Sequence, residues 1–175
     1  MVAKGDKDAM QILYARHHVR VFRFLMRFVD REQTAEDLVS ETFIEAWRHA
    51  NRFEARSQVL TWLLAIARHK ALSALRKRSA EEVDEDVLEF IEDPCDDPEV
   101  SMQKTERSAL LADCLKQLSP AHREIIDLVY YHERTIDDVA EIIGVPQNTV
   151  KTRMFYARKR MAELMAARGL DRAAL

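Results

Sequence analysis

The sequence predicts an all-α protein built from two small helical domains that are joined by an acidic flexible linker. Among 175 residues there are only three Gly and four Pro, while 47% are hydrophobic and 33% are charged. This composition is typical of a helix-rich globular protein. Apolar residues also recur at three- and four-residue spacings along several segments, which is the helical period.

The charge changes sign along the chain and marks the two domains. Residues 1–78 contain 15 Lys and Arg against 9 Asp and Glu, a net charge of +6. Residues 79–106 contain one Lys against 12 acidic residues, a net charge of −11, and residues 107–175 return to +2. Because the acidic stretch has few large apolar groups, it cannot bury enough surface to fold alone. We therefore predict domains at 1–79 and 107–175, with a linker at 80–106.

Several protein classes are disfavoured by what the sequence lacks. The longest apolar stretches fall far short of the ~20 residues that span a bilayer, and no basic segment followed by an apolar run opens the chain. We expect a cytoplasmic protein without membrane insertion. The two cysteines, Cys95 and Cys114, are too few for a disulfide framework. No CxxC or HExxH pattern signals a metal site, and no cofactor is expected.

Three helices are expected in the first domain. The first covers residues 8–28, where apolar residues follow the helical spacing. Thr34 followed by Asp37 resembles a capping box and predicts a second helix from Thr34 to about residue 49. A loop at 53–57 leads into a third helix at about 58–78.

Four helices are expected in the second domain. Ser119 is a good N-cap, and Pro120 suits the first helical position. Thr135 and Asp138 resemble a second capping box. The predicted helices cover about 98–117, 120–131, 135–144 and 146–167.

The segment TIDDVAEIIGVPQNTVKTR, residues 135–153, has the pattern of a helix-turn-helix. Small Ala140 permits a close helix crossing, Gly144 permits a left-handed turn, and Val150 packs the second helix back on the first. Such a pair inserts the start of its second helix into the DNA major groove. A helical rotation leaves Asn148, Thr152, Phe155, Tyr156 and Lys159 facing outward and buries Val150, Met154, Ala157, Met161 and Leu164. The alternative is a solvated basic helix with two half-buried aromatic rings.

The first domain carries two further signals. In the helix after Thr34, Asp37, Glu41, Glu45 and Arg48 lie at helical spacing, and the line of carboxylates among them favours a basic protein partner rather than DNA. The alternative for Asp37 is that it only caps its helix. On the next helix Trp62 is predicted to point away from the buried side, near several cations, as suits stacking on unpaired bases. The alternative for Trp62 is packing on the first helix of its own domain.

Four segments together resemble a bacterial RNA polymerase sigma factor of the extracytoplasmic-function (ECF) group. They are LYARHHVRVFRFLMR, AEDLVSETFIEAWRHANRF, TWLLAIARHKALSALRKR and LSPAHREIIDLVYYHERTIDDVAEIIGVPQNTVKTRMFYARKR. The resemblance spans nearly the whole chain and implies the two folded domains called sigma domain two and sigma domain four. Many relatives have Gln at Ser40, Asn at His69 and Arg at Tyr156, so the promoter sequence does not follow from relatives.

The resemblance also implies partners and site residues. Core RNA polymerase would bind through the clamp helices of its largest subunit and the flap of its second-largest subunit, and a dedicated anti-sigma factor is often a further partner. The clamp-docking residues would be Asp37, Leu38, Glu41, Thr42 and Phe43. The −10 promoter element would be bound and melted by Phe53, Glu54, Arg56, Ser57, Trp62, Ile66, His69, Lys70, Ser73, Arg76 and Lys77. The −35 element would be read by Gln147, Asn148, Thr149, Lys151, Thr152, Arg153, Phe155, Tyr156, Arg158 and Lys159.

The leading hypothesis is therefore a dissociable initiation factor with no catalysis of its own. A stand-alone helix-turn-helix regulator is the second hypothesis, and it leaves the carboxylate line and Trp62 unexplained. An enzyme using His17, His18 or His69 is the third. No nucleophile–base pair or metal spacing supports it.

Overall fold

A computed structural model describes residues 1–29, 31–81 and 110–169, and every regular element within these ranges is helical. The chain divides into two compact units, one holding the three N-terminal helices and the other most of the C-terminal helices. This agrees with the predicted all-α, two-domain class. None of the described helices is long and apolar enough to cross a membrane.

The first unit is built from α1 (Lys7–Leu25), α2 (Glu32–His49) and α3 (Val59–Glu81), which pack on one another. The Asp6 carboxylate caps α1 by accepting a hydrogen bond from the Ala9 N–H at 3.0 Å. Only the second half of α1 enters the core. Ile12 and Val19 belong to the predicted apolar pattern but are exposed, because they lie on the face opposite to the buried side chains. Those buried side chains are Val21, Phe24 and Leu25, and Phe28 is buried in the turn that follows.

The start of α2 differs from the prediction. The helix begins at Glu32 after Arg31, which has no side-chain capping bond, so Thr34 and Asp37 lie inside the helix. The predicted capping box and the alternative role of Asp37 as a cap are therefore wrong. Asp37 instead accepts a long hydrogen bond of 3.5 Å from the Gln33 side chain, one turn earlier on the same surface.

The buried side chains of the third helix recur at helical spacings. Its buried side chains are Leu60, Thr61, Leu63, Leu64, Ala67 and Ala71, whereas Leu75 is only half-buried. The helix continues to Glu81, two residues past the predicted domain end at 79. Beyond Glu81 the predicted linker lies outside the described residues, as does the start of the helix predicted from Pro98. The second unit contains a helix, α4, over 110–116.

The second unit confirms the predicted capping residues. Ser119 caps α5 (Pro120–Ile126) by accepting from the His122 N–H at 3.4 Å, and a π-helical turn, Asp127–Tyr131, follows directly. The Thr135 hydroxyl and Asp138 close the predicted box before α6 (Ile136–Ile143). The Asp138 carboxylate accepts from the Thr135 N–H at 3.1 Å, and the Asp138 N–H donates to the Thr135 hydroxyl at 3.2 Å. A cap of this kind contributes about 1 kcal/mol.

The turn into the last helix is the one that the sequence predicts. Gly144 has φ +75°, and Val145 N–H donates to the Ala140 carbonyl at 3.2 Å before α7 (Gln147–Ala166) begins. The predicted buried side of α7 is buried without exception, and Met165 is buried as well. Because α5 packs against α7, the opposite face of α7 is left to solvent.

Buried polar groups fix the segment between the π-helical turn and α6. His132 Nε2 lies 3.4 Å from Asp127 Oδ2, and both side chains are buried. Arg134 Nε donates to the His132 carbonyl at 2.7 Å, while Glu133 takes a left-handed backbone with φ +53°. Buried polar groups of this kind are stable only when they are hydrogen-bonded. These contacts fix the backbone that leads into Thr135 and α6.

Candidate functional site

The outer face of α2 is acidic, and the structure divides the predicted docking residues into two groups. Asp37 and Glu41 are exposed, whereas Leu38, Thr42 and Phe43 are buried in the first unit. The Thr42 hydroxyl donates to the Leu38 carbonyl at 2.7 Å and so stays within its own helix. On this face, the carboxylates and their exposed neighbours are the side chains that reach the surface. The three buried residues support the helix.

Sequence reasoning missed Ile44, whose side chain is 50% exposed. It lies three residues after Glu41 and seven after Asp37, so it shares their face. An exposed isoleucine beside these carboxylates adds an apolar group to the charged face. The helical spacing from Asp37 and Glu41 is the sequence signal that places Ile44 on this exposed face.

Lys70 of α3 does not stand free beside the predicted DNA-binding stripe. Its ammonium lies 3.4 Å from a Glu41 carboxylate oxygen and 3.6 Å from one of Glu45. Glu45 also lies 3.0 Å from His49 on its own helix. These ion pairs join α2 to α3. In this structure Lys70 belongs to the acidic face as much as to the DNA-binding stripe.

The loop before α3 brings two aromatic rings together. The Phe53 and Trp62 ring centroids are 5.0 Å apart with an interplanar angle of 37°, and both side chains are half-buried. Ala55 adopts a left-handed backbone with φ +55°, and exposed Glu54 and Arg56 form an ion pair at 2.6 Å. Trp62 therefore rests on the loop and keeps part of its indole at the surface.

The remaining side chains of the predicted −10 set follow one stripe of α3. His69, Arg76 and Lys77 are exposed, and Ile66 and Ser73 are half-buried. Arg76 donates to the Leu72 carbonyl and to the Ser73 hydroxyl, both at 3.3 Å. This stripe runs from the Phe53–Trp62 pair towards the cationic end of the helix. Ser57 of the loop is half-buried.

The outward face of α7 contains the residues that the helical rotation predicts. Phe155 and Tyr156 are 64% and 53% exposed, and their rings meet edge to face at a centroid distance of 5.4 Å. The Thr152 hydroxyl donates to the Asn148 carbonyl at 2.9 Å. Within the predicted −35 set, Thr149 and Arg153 are half-buried and the other side chains are exposed. Polar, aromatic and cationic groups thus share one helix face.

The described residues hold no group of His, Cys, Asp or Glu that could bind a metal ion. The exposed groups are suited to binding other molecules. They are carboxylates and an apolar side chain on α2, aromatic rings with cations on α3, and polar, aromatic and cationic groups on α7. The sigma-70 region 2 model matches residues 13–81, and the sigma-70 region 4 model matches residues 114–163.

The chain belongs to the ECF group of RNA polymerase sigma factors. It is 32% identical to the ECF RNA polymerase sigma-E factor of Haemophilus influenzae, over 90% of this chain and 88% of that one. It is 30% identical to the RNA polymerase sigma-H factor of Pseudomonas aeruginosa, over 90% and 86% of the two chains. As an alternative sigma factor it directs transcription initiation, and the stand-alone regulator hypothesis is not favoured.

The fold has a counterpart among solved structures. The sigma factor RpoE of Bartonella quintana, solved in complex with the anti-sigma factor NepR, matches with a TM-score of 0.72 and 29% identity. The match covers 92% of this chain and 98% of that one. A second structure, CnrH in complex with the cytosolic domain of CnrY, matches the fold with a TM-score of 0.66 at 24% identity, over 95% and 93% of the two chains.

Proposed function

We propose that this sigma factor docks on core RNA polymerase through the outer face of α2, binds and opens the −10 element with the 53–57 loop and α3, and reads the −35 element with α7. The observation that carries the proposal is the separation of charge within the first unit. Exposed Asp37 and Glu41 lie on α2, while exposed Arg76 and Lys77 lie on α3. An acidic face repels DNA and suits a basic protein, whereas a cationic stripe suits the DNA backbone.

For docking, Asp37 and Glu41 pair with cations of the clamp helices of the largest subunit. Ile44, on the same face, packs against apolar groups of the same helices. Leu38, Thr42 and Phe43 are buried and act indirectly, by holding α2 straight and rigid beneath these side chains. A rigid element keeps the charged groups in register with the partner, so less entropy is lost on binding.

For the −10 element, the half-buried Phe53 and Trp62 rings offer a stacking surface for an unpaired base of the non-template strand. Glu54 and Ser57 supply hydrogen-bonding groups in the same loop. Cations that would follow the strand's phosphates lie along the loop and the stripe of α3. They are Arg56, Arg76 and Lys77, and exposed His69 lies on the same stripe.

For the −35 element, α7 enters the major groove with the start of its exposed face. Base edges are contacted by Asn148, Thr152, Phe155 and Tyr156, since these side chains combine amide, hydroxyl and ring groups. The cations Lys151, Arg153, Arg158 and Lys159 bind phosphates and so set affinity more than sequence. Gln147 and Thr149 lie at the start of α7, next to the same major groove of the DNA.

Two further partners complete the proposal. The second unit contacts the flap of the second-largest subunit, as the family resemblance implies. Because a related sigma factor was solved with the anti-sigma factor NepR, we infer that an anti-sigma factor regulates this chain too. The chain performs no chemistry itself and works in the cytoplasm, at the nucleoid, where polymerase and promoter DNA meet.

Docking is tested by reversing the charge of the acidic face. Asp37→Arg combined with Glu41→Arg should abolish binding to core polymerase in a pull-down, because like charges at a contact cost several kcal/mol. Glu32→Arg with Glu36→Arg is the matched control, since it makes the same charge change on another face of α2 and should leave binding intact. Helicity measured by circular dichroism should stay unchanged in both variants. If the Asp37/Glu41 variant binds core normally, α2 is not the docking face.

A further inference from the structure

We infer that the surface proposed to bind the −35 element has two walls, one formed by α7 and the other by Tyr130 and Ile136. Tyr130 is a positioning residue that holds Arg158 against the DNA backbone. The groove beside this pair, lined by α7, Tyr130 and Ile136, takes one sugar–phosphate strand at the flank of the −35 duplex. This inference rests on the proposed role of α7 and extends it to the turn after α5, whose residues the sequence pattern did not single out.

The contact that motivates it is a cation–π pair across two elements. The Arg158 guanidinium carbon lies 5.6 Å from the centre of the Tyr130 ring, and Tyr130 is 46% exposed. A guanidinium lying over a ring loses part of its rotational freedom but keeps its N–H groups available at its edge. Arginine held in this way is prepared to bind a phosphate bidentately.

The local fold explains why a tyrosine stands at this place. The His132 N–H donates to the Asp127 carbonyl at 3.1 Å, which closes a wide turn of five residues. Leu128 is fully buried within this turn, while Tyr130 and Tyr131 are both turned outward. Single π-helical turns are rare and often lie at functional sites. Here the wide turn carries an aromatic ring to the edge of the α7 face.

The groove beside this pair has the alternating chemistry of a DNA strand. Its apolar lining comes from Tyr130, Ile136, Met154 and Phe155, and three cations stand along it. Deoxyribose rings are apolar and phosphates are anionic, so a strand in the groove would meet rings and cations in turn. Glu163 also lines the groove, but it pairs with Arg160 at 3.3 Å. The three cations are Lys151, Arg158 and Lys159.

An acidic protein segment is the rival occupant of such a groove. DNA is favoured because the groove shares Lys151, Phe155 and Lys159 with the exposed α7 face that is proposed to bind the −35 element. A duplex seated on that face continues past its edge, and its backbone then lies over the groove. A protein partner would have to reach the groove beside the DNA already bound.

The test compares tyrosine variants in holoenzyme reconstituted with core polymerase, on a promoter duplex containing the −35 element. Tyr130→Ala should weaken binding about two- to five-fold, the range expected from loss of an exposed cation–π pair. The slope of log affinity against log salt concentration should become shallower by ~0.9, the value for one phosphate contact. Tyr130→Phe should behave as wild type because it keeps the ring, and so should Tyr131→Ala, which removes a more exposed tyrosine of the same turn.

A double-mutant cycle and a stability measurement make the outcome decisive. Arg158→Ala should reproduce the loss, and adding Tyr130→Ala to it should cause little further loss. If Tyr130→Ala only lowers the melting temperature and leaves the salt slope intact, the tyrosine is structural and the inference fails. It also fails if the variant binds DNA normally and loses only the binding of an acidic protein partner. If wild-type holoenzyme does not distinguish the −35 element from a scrambled duplex, the proposed function fails instead.

Discussion

Thr152 and Tyr156 differ from the cations around them in what they can recognise. The Thr152 hydroxyl donates its proton to the Asn148 carbonyl at 2.9 Å, which leaves its oxygen as an acceptor and its methyl group free for an apolar contact. Tyr156 offers a ring and a hydroxyl, and it is braced edge to face by Phe155. Such groups read base edges, while lysine and arginine mainly bind phosphates.

The first prediction follows from this difference. Thr152→Ala and Tyr156→Ala should change the preferred −35 sequence, because each lost base contact costs about 1–3 kcal/mol at particular positions. Lys151→Ala and Lys159→Ala should weaken all sequences alike and lower the salt slope by about one unit. Selection from a library of −35 variants measures both effects. An unchanged preferred sequence in both the threonine and the tyrosine variant would show that another face of α7 meets the bases.

The second prediction concerns Trp62. Trp62→Ala or Phe53→Ala should impair promoter opening more than closed-complex binding, since stacking on an unpaired base contributes about 1–3 kcal/mol. A promoter with a premelted −10 bubble should restore much of the activity. Permanganate footprinting measures the opening directly. Without rescue by the bubble, and with a lowered melting temperature, Trp62 would be a packing residue for the 53–57 loop.

At the scale of elements, α2 and α3 are coupled by the Lys70 ion pairs. Lys70 is predicted to bind the −10 strand, yet its ammonium lies within 3.6 Å of both Glu41 and Glu45. Partly exposed ion pairs of this kind contribute about 0–1 kcal/mol, so a phosphate can compete for the lysine. Clamp cations that pair with Glu41 would release it further.

The third prediction tests this coupling in the free chain. Glu41→Gln with Glu45→Gln should raise affinity for a single-stranded −10 oligonucleotide, and Lys70→Gln in that background should remove the gain. Glu32→Gln with Glu36→Gln removes the same charge elsewhere on α2 and reports the general electrostatic effect. Fluorescence anisotropy at low and high salt measures all of these affinities. Equal gains in the two glutamine pairs would mean that Lys70 is not held back from DNA.

The elements that sequence predicts well are those that local chemistry determines. Ser119 and the Thr135–Asp138 box start their helices as predicted, because each cap is made within one turn. The same reasoning fails at Thr34, since α2 begins two residues earlier without any side-chain cap. The Lys70 ion pairs and the Tyr130–Arg158 contact join different elements. Spacing along a single helix therefore could not reveal them.

Across the whole molecule, the acidic segment is the largest feature that composition alone reveals. Residues 79–106 carry a net charge of −11 between two net basic domains. Core polymerase holds nucleic acid in basic channels, so this polyanion should add to core affinity by electrostatic attraction.

The fourth prediction removes part of that charge. Replacing Glu81, Glu82, Glu85, Glu89 and Glu92 by Gln keeps the length but removes five charges, so core binding should weaken at low salt. The defect should shrink as added salt screens the attraction. Titration of core polymerase at several salt concentrations measures it. Affinity equal to wild type at low salt would leave the segment as a tether between the two domains.

The central claim is that this chain gives core polymerase its promoter specificity through two separate surfaces. Transcription of a randomised promoter library by core polymerase, with and without the chain, tests it most directly. We predict that the transcripts enriched only when the chain is present start downstream of two sequence elements that the selected promoters share. Tyr156→Ala should alter the upstream element alone, and Phe53→Ala the downstream one alone. No enrichment in the presence of core, or selection of a palindrome by the chain without core, would contradict the account.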